Sequence, residues 1–210
     1  KKPLRIDEVL ARPERLAELS CEGRAPVLLA APEHVDAAEA VVAQAPALLD
    51  AVRERFDVIV ANTGGAWAEQ HAVLLERSSK VLFLVDQRAT SVYAAQRALD
   101  LCARCGIAVN PFLFTLNGCG KGAPLSSMDV SCALKGAHVR ELPDGGADVE
   151  DLLAAGLVGD LIDSRNELVE GIEELMAEML PGVSAAATSS REGPGMPFLR
   201  GKRSRKRKKA

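Results

Sequence analysis

Aromatic residues are scarce in this chain: five Phe, one Trp and one Tyr make 3% of 210 residues. A core must therefore be filled by Val, Leu, Ile and Ala, and a hydrophobic content of 48% suffices for one sizeable core. Long apolar runs are also lacking, since "VLFLV" from Val81 falls far short of the roughly 20 residues that cross a bilayer. The first residues, "KKPLRIDEVL", have neither the apolar stretch nor the small-residue cleavage site of a secretory signal. They also lack an initiator Met, which leaves an excerpt of a longer chain and a processed chain both open.

Cysteine is too sparse for a disulfide frame. Cys21, Cys102, Cys105, Cys119 and Cys132 are odd in number and scattered, which suits reduced cytosolic thiols. "CARC" is a lone CxxC without a second pair or a nearby His, and two core-facing cysteines are expected there rather than a metal site. His34, His71 and His138 stand on three separate segments and read as structural or surface histidines. Ser126 and Ser127 have no nucleophile-elbow context, so no Ser/His/Asp arrangement has a local signature.

Charge is present but divided. The net charge is −3, yet the last eleven residues, "RGKRSRKRKKA", hold eight Lys or Arg and no acid, leaving −11 on the 199 residues before them. The run comprises Arg200, Lys202, Arg203, Arg205, Lys206, Arg207, Lys208 and Lys209. It has no interleaved aromatics and no amphipathic period, hence neither a base-reading device nor an insertion face. Three readings stay open: nonspecific contact with DNA phosphates, contact with an anionic membrane surface, or a solvated tail that docks on the acidic body.

The interior alternates between apolar runs and helical periodicity. Strands are expected at "VLLAAP" (27–32), "DVIVA" (57–61), "KVLFLVD" (80–86), "IAVNPFLFTLN" (107–117) and "AHVRELP" (137–143), with Pro111 bending the fourth at its start. Helices are expected over 35–55, with a kink or break at Pro46, and over "WAEQHAVLLERS", "TSVYAAQRALDLCARCG", "DVEDLLAAG" and "SRNELVEGIEELMAEML". Thr90 or Ser91 should cap the third of these and Gly106 should end it. The expected architecture is α/β, a doubly wound and mainly parallel sheet with helices on both faces. Residues 1–180 form the expected domain, and 181–210, rich in Pro, Gly, Ser and Ala before the basic run, form a disordered tail.

In such sheets ligands bind beyond the carboxyl ends of the strands. The candidates are Asn62 to Gly65, Asp86 with Gln87, Thr115 to Asn117, and Pro143 with Asp144. "TLNGCGKG" (115–122) contains GxGK after a strand, but Thr115 and Gly122 stand where a GxxxxGK[ST] phosphate loop needs Gly and a hydroxyl. A flexible Gly-rich connection is the expectation there. "FDVIVANTGG" (56–65) reads as a strand running into a turn, with Asn62 where a carboxylate would attract Mg²⁺ far more strongly than a neutral amide does. Asp144, Asp148, Glu150 and Asp151 cluster at a helix start and suit capping and the helix dipole.

The order of these pieces resembles the MinD/ParA family of deviant Walker ATPases, most closely its TadZ/CpaE-like branch. "RFDVIVANTGGAW" resembles the family's "YDxIIxDxPxG", with Asn62 at the Asp position, Gly64 at the Pro and Ala66 at the Gly. "SSKVLFLVDQRATSVYAAQRALDLC" resembles the next strand and helix, "FLFTLN" the strand whose final Asn faces the adenine, and "VRELPDGGADVEDLLAAGLVGDL" the rim of the base pocket. The resemblance covers roughly residues 25–180. It implies a P-loop NTPase fold of the SIMIBI type, incomplete at its N-terminus, with Asn62, Thr63, Asn117, Pro143 and Asp144 on the nucleotide side. It also implies ATP or ADP with Mg²⁺ in a full-length protein, and a homodimer or a secretion or pilus machine as partner.

The family's phosphate loop and switch aspartate are not visible in this sequence. Together with Asn62, this leads to the expectation of a degenerate member with weak or no ATP hydrolysis that acts in spatial localisation or assembly of septum, secretion or Tad-type pilus machinery, cytoplasmic, with a membrane-peripheral or polar placement open. Two alternatives remain: a fragment of an active ATPase, and a nonspecific DNA-binding module acting through the basic tail.

Overall fold

The computed structural model describes residues 3–19, 26–65, 67, 69–120 and 122–181. Cys21, Ala66, Lys121 and the basic run 200–209 lie outside the described residues. The chain divides into two compact units, Lys1–Thr115 with Pro124–Arg140, and Leu116–Ala123 with Glu141–Ala210.

In the first unit a short strand β1 (Leu4–Arg5) leads into α1 (Ile6–Ala11), then a 3-10 helix (Pro13–Glu18), and β2 (Leu29–Ala30) returns parallel to β1. Glu8 starts α1 by accepting the Arg5 amide at 3.1 Å. Leu4, Val9, Leu16 and Val52 form one core cluster, with Leu29, Leu48 and Phe56 packed on it. Val52 comes from α2 (Ala38–Arg53), which carries Pro46 inside it, so of the expected kink or break the break does not occur. Proline costs a helix one hydrogen bond, and here Ala45 and Val52, buried on the inner side of α2, hold it against the core in spite of that loss.

The helix α3 (Glu69–Arg77), the strand β3 (Val81–Asp86) and the helix α4 (Ala89–Cys105) follow. Val92, Ala95, Ala98 and Cys102 recur at helical spacing on the buried side of α4. Gly106 ends it in the left-handed conformation, φ +71°, as expected. The expected N-cap is corrected: the helix starts after Arg88, and neither Thr90 nor Ser91 caps it. Ser91 instead accepts the Asp86 amide, 3.1 Å, tying the helix to the end of β3. The "CARC" expectation is half right, for Cys102 is fully buried whereas Cys105 is exposed.

A three-stranded sheet has the order β3, β4 (Phe112–Cys119), β5 (Val139–Pro143). Phe83 stacks on Phe112, ring centroids 5.8 Å apart, and lies tilted against Phe114 at 5.5 Å, so three of the five Phe side chains meet on one face. Pro111 ends a turn before β4 and its carbonyl accepts the Val81 amide at 2.9 Å, consistent with a bend there. The short helix α5 (Ser127–Ala133) opens on a Ser126–Asp129 capping box, each residue accepting the other's amide.

The expected strand over 57–61 is the main correction. This segment has no ladder partner among the described residues, and Val58, Ile59 and Val60 are exposed, Val60 by 82%. Strand conformation is stabilised by pairing, and β1–β2 and β3–β4–β5 form separate sheets among the described residues. β3 is an edge strand, and its alternate residues Leu82 and Leu84 are exposed too, Leu84 by 54%.

The second unit is helical beyond β4 and β5. Its helices are α6 (Ala147–Ala154), α7 (Val158–Asp163), which sequence periodicity had not separated from the preceding loop, and α8 (Glu167–Met179). Val149, Leu161 and Val169, one from each helix, make its core with Leu152 and Leu168.

Candidate functional site

Each expected site residue sits at or near the end of a strand or strand-like segment. Asn62 and Thr63 lie in the exposed, irregular stretch that leads to Gly64 and Gly65. That turn is held from α3, where His71 is buried, donates through Nε2–H to the Gly64 carbonyl, 3.0 Å, and stacks on Trp67. The reading of His71 as a structural histidine fits this placement.

At the end of β3, Asp86 is engaged. One carboxylate oxygen accepts the Arg88 amide at 3.0 Å, and the other accepts Arg88 Nε at 2.8 Å. These bonds from Arg88, foremost the one from its side chain, hold the Asp86 carboxyl below the usual carboxylate range. Gln87 donates to the Leu125 carbonyl at 2.8 Å, pinning the loop before α5. Both side chains hold the loop and leave little free chemistry.

Asn117 is exposed near the end of β4. The strand continues through Gly118 and Cys119, and the next helix begins only at Ser127, beyond Pro124. A phosphate loop works by aiming successive amides at the start of a helix, which "GCGKG" does not precede. The expected flexible connection over 115–122 is corrected in its first part, since Thr115–Cys119 belong to β4. The Cys119 thiol donates to the Leu116 carbonyl at 3.1 Å, and burial pushes its pKa up, which favours the neutral thiol.

Pro143 closes β5, the neighbour of β4, and Asp144 follows it, exposed. Asn117, two residues before the end of β4, and Pro143 with Asp144, at the end of β5, thus stand on adjacent strands of one unit. Sequence reasoning missed what positions this rim. Asn166 caps α8 by accepting the Leu168 amide at 2.9 Å, and its amide nitrogen donates to the Gly145 carbonyl at 2.8 Å. Gly145 itself has φ +77°, and a Cβ there would meet Val149 Cγ2 at 2.7 Å and Asn166 Oδ1 at 2.8 Å. Gly171 of α8 similarly lets Leu142 and Pro143 approach, at 3.2 and 3.3 Å from a hypothetical Cβ. The visible signals were Asn immediately before a helical period and the "GG" after Pro-Asp.

An ATP–Mg²⁺ group does not fit the donors described. Asn62 is neutral, Asp86 is taken by Arg88, no group of three His, Cys, Asp or Glu that could hold a metal occurs among the described residues, and the one described Gly pair that leads straight into a helix, Gly145–Gly146 before α6, has no lysine beside it. Asn117, with an amide that both donates and accepts, retains the chemistry to meet a base edge.

No protein-family model matches the sequence, and no curated protein does. Among solved structures, a ParA family ATPase from Chlorobium tepidum TLS superposes with a TM-score of 0.70 at 13% identity, over 82% of this chain and 75% of that one. The chain therefore has a ParA-like P-loop NTPase fold, mixed α/β with parallel sheets flanked by helices. No described helix is long and apolar enough to cross a membrane.

Proposed function

We propose that this protein is a ParA/MinD-like organiser that positions or assembles other proteins, of a secretion, Tad-type pilus or septum machine, with weak or no ATP hydrolysis. The observation that carries the reading is Asn62. It occupies the place where the family resemblance puts an acid, and an amide in that place gives a hard divalent ion little attraction. The phosphate side of the site is degenerate by this reading, while the base rim at Asn117, Pro143 and Asp144 keeps a built scaffold in Asn166 and Gly145. A nucleotide held there would serve as a structural ligand.

Assembly is supported by the exposed apolar residues of the first unit. Val58 and Val60 on the irregular segment, and Leu82 and Leu84 on the edge strand, leave apolar surface and backbone groups for a partner. A second copy of the chain or a component of the machine are the partners of this reading.

The test is localisation of a fluorescent fusion in its native cell. Discrete foci at the pole, septum or secretion apparatus, kept by an Asn62→Ala variant and dispersed by Leu82→Asp with Leu84→Asp, are expected. A uniformly diffuse wild-type fusion, or foci that depend on Asn62 and ignore the two leucines, overturns it.

A further inference from the structure

The acidity of this chain is confined to one segment. From Glu141 to Pro181 there are twelve Asp or Glu and a single base, Arg165, a net charge of −11, whereas residues 1–140 carry sixteen charges of each sign. That segment is the strand end and helices of the second unit. The opposite charge stands at 200–209, in the same chain.

The helices also expose apolar side chains amid this charge. Val158 and Ile162 are one turn apart on α7, and Ile162 is 55% exposed; Leu153 on α6 is 51% exposed. Beside them an open cleft of about 370 Å³ is lined by Asp148, Asp151, Leu152, Leu161, Ser164 and Asn166. Two carboxylates over two leucines suit a long basic side chain, whose methylenes cover apolar surface while its head meets the acid.

The sequence just before the basic run supplies matching apolar groups, Met196, Phe198 and Leu199. Eighteen residues separate Pro181 from Arg200. Their extended reach, about 60 Å, exceeds the roughly 20 Å length of α8. The connection therefore permits a return to any of the three helices.

We propose that residues 196–209 dock on the α6–α8 face of the same chain, the apolar trio against Leu153, Val158 and Ile162, the Lys and Arg run over the surrounding carboxylates. Tethering makes the encounter intramolecular at an effective concentration in the millimolar range. Docking withholds the basic run from other polyanions, and it weakens as salt screens the charges. The proposal is independent of whether the protein turns over ATP.

Zero-length carbodiimide cross-linking of the full chain at low protein concentration, with peptide mapping of the monomeric fraction, tests it. Expected are amide links from Lys202, Lys206, Lys208 or Lys209 to carboxylates between Asp148 and Glu170. Their yield should fall about tenfold between low and roughly 0.5 M salt. Ile162→Ser, at an exposed position, should lower the yield severalfold with an unchanged circular dichroism spectrum, and so should Asp160→Asn with Asp163→Asn. A short DNA duplex should bind the isolated 196–210 peptide more tightly than it binds the full chain. Links mainly between chains or onto residues 1–140, a yield indifferent to salt and to both variants, or equal DNA binding by peptide and full chain would each overturn the proposal.

Discussion

Replacing Gly145 by Ala isolates the packing that builds the rim of Pro143 and Asp144. The residue sits at φ +77°, where an L side chain costs about 1–2 kcal/mol. Its new Cβ would lie 2.7 Å from Val149 Cγ2, 2.8 Å from Asn166 Oδ1 and 3.0 Å from Leu168 Cβ, closer than Cβ contacts ordinarily come. Overpacking of that kind adds about 1–3 kcal/mol, so the total loss should be about 2–5 kcal/mol. Hydrogen exchange of the α6 and α8 amides reads it directly, because both helices contribute side chains to the clash. Val149→Ala removes the nearest obstructing atom, at the cost of a core side chain. In a double-mutant cycle Gly145→Ala should therefore be about 1 kcal/mol or more milder in the Val149→Ala background. Additivity within about 0.5 kcal/mol would refute the steric reasoning.

Asn166→Ala removes a helix cap and leaves the Gly145 carbonyl without its donor; a loss of about 1–2 kcal/mol is expected by urea denaturation, with Asn166→Asp recovering the cap alone. Thr115 is fully buried with no partner for its hydroxyl, so Thr115→Val, nearly its isostere, should leave thermal stability unchanged or raise it by about 1 kcal/mol; a clear drop would reveal a bond the geometry lacks. Asp86 has its carboxyl pKa lowered in the folded state by Arg88, so its contribution to stability is present above the ordinary carboxylate pKa and is lost as pH falls through the lowered value. Arg88→Ala should move the Asp86 carbon titration, followed by NMR, upward towards that ordinary range; an unmoved titration would deny the pair.

The sequence disclosed the parts of the fold whose signal is local. β3, α4 and the Gly106 stop follow from a short apolar run, a 3.6-residue period and a glycine, and each stands where those features put it. The helix does not break at Pro46 because propensity is local while the burial of Ala45 and Val52 is tertiary. "DVIVA" misled for the opposite reason: its composition is that of a buried strand, but strand conformation is a property of pairs, and no described neighbour pairs with it. Of the candidate site, the strand-end positions Asn117, Pro143 and Asp144 were legible from the alternation of elements. The hold of Asn166 on Gly145 spans 21 residues, and nothing in a linear pattern joins two such positions.

The most direct test of the account is release of inorganic phosphate from ATP by the purified protein in the presence of Mg²⁺, measured beside an Asn62→Asp variant and a metal-chelated control. The expected result is weak or no release above the protein-free blank for wild type, and no more for the variant, since one restored acid does not supply a phosphate cradle. Rapid, chelator-sensitive release by wild type that disappears on Asn62→Ala would contradict the claim that this ParA-like fold organises with weak or no hydrolysis.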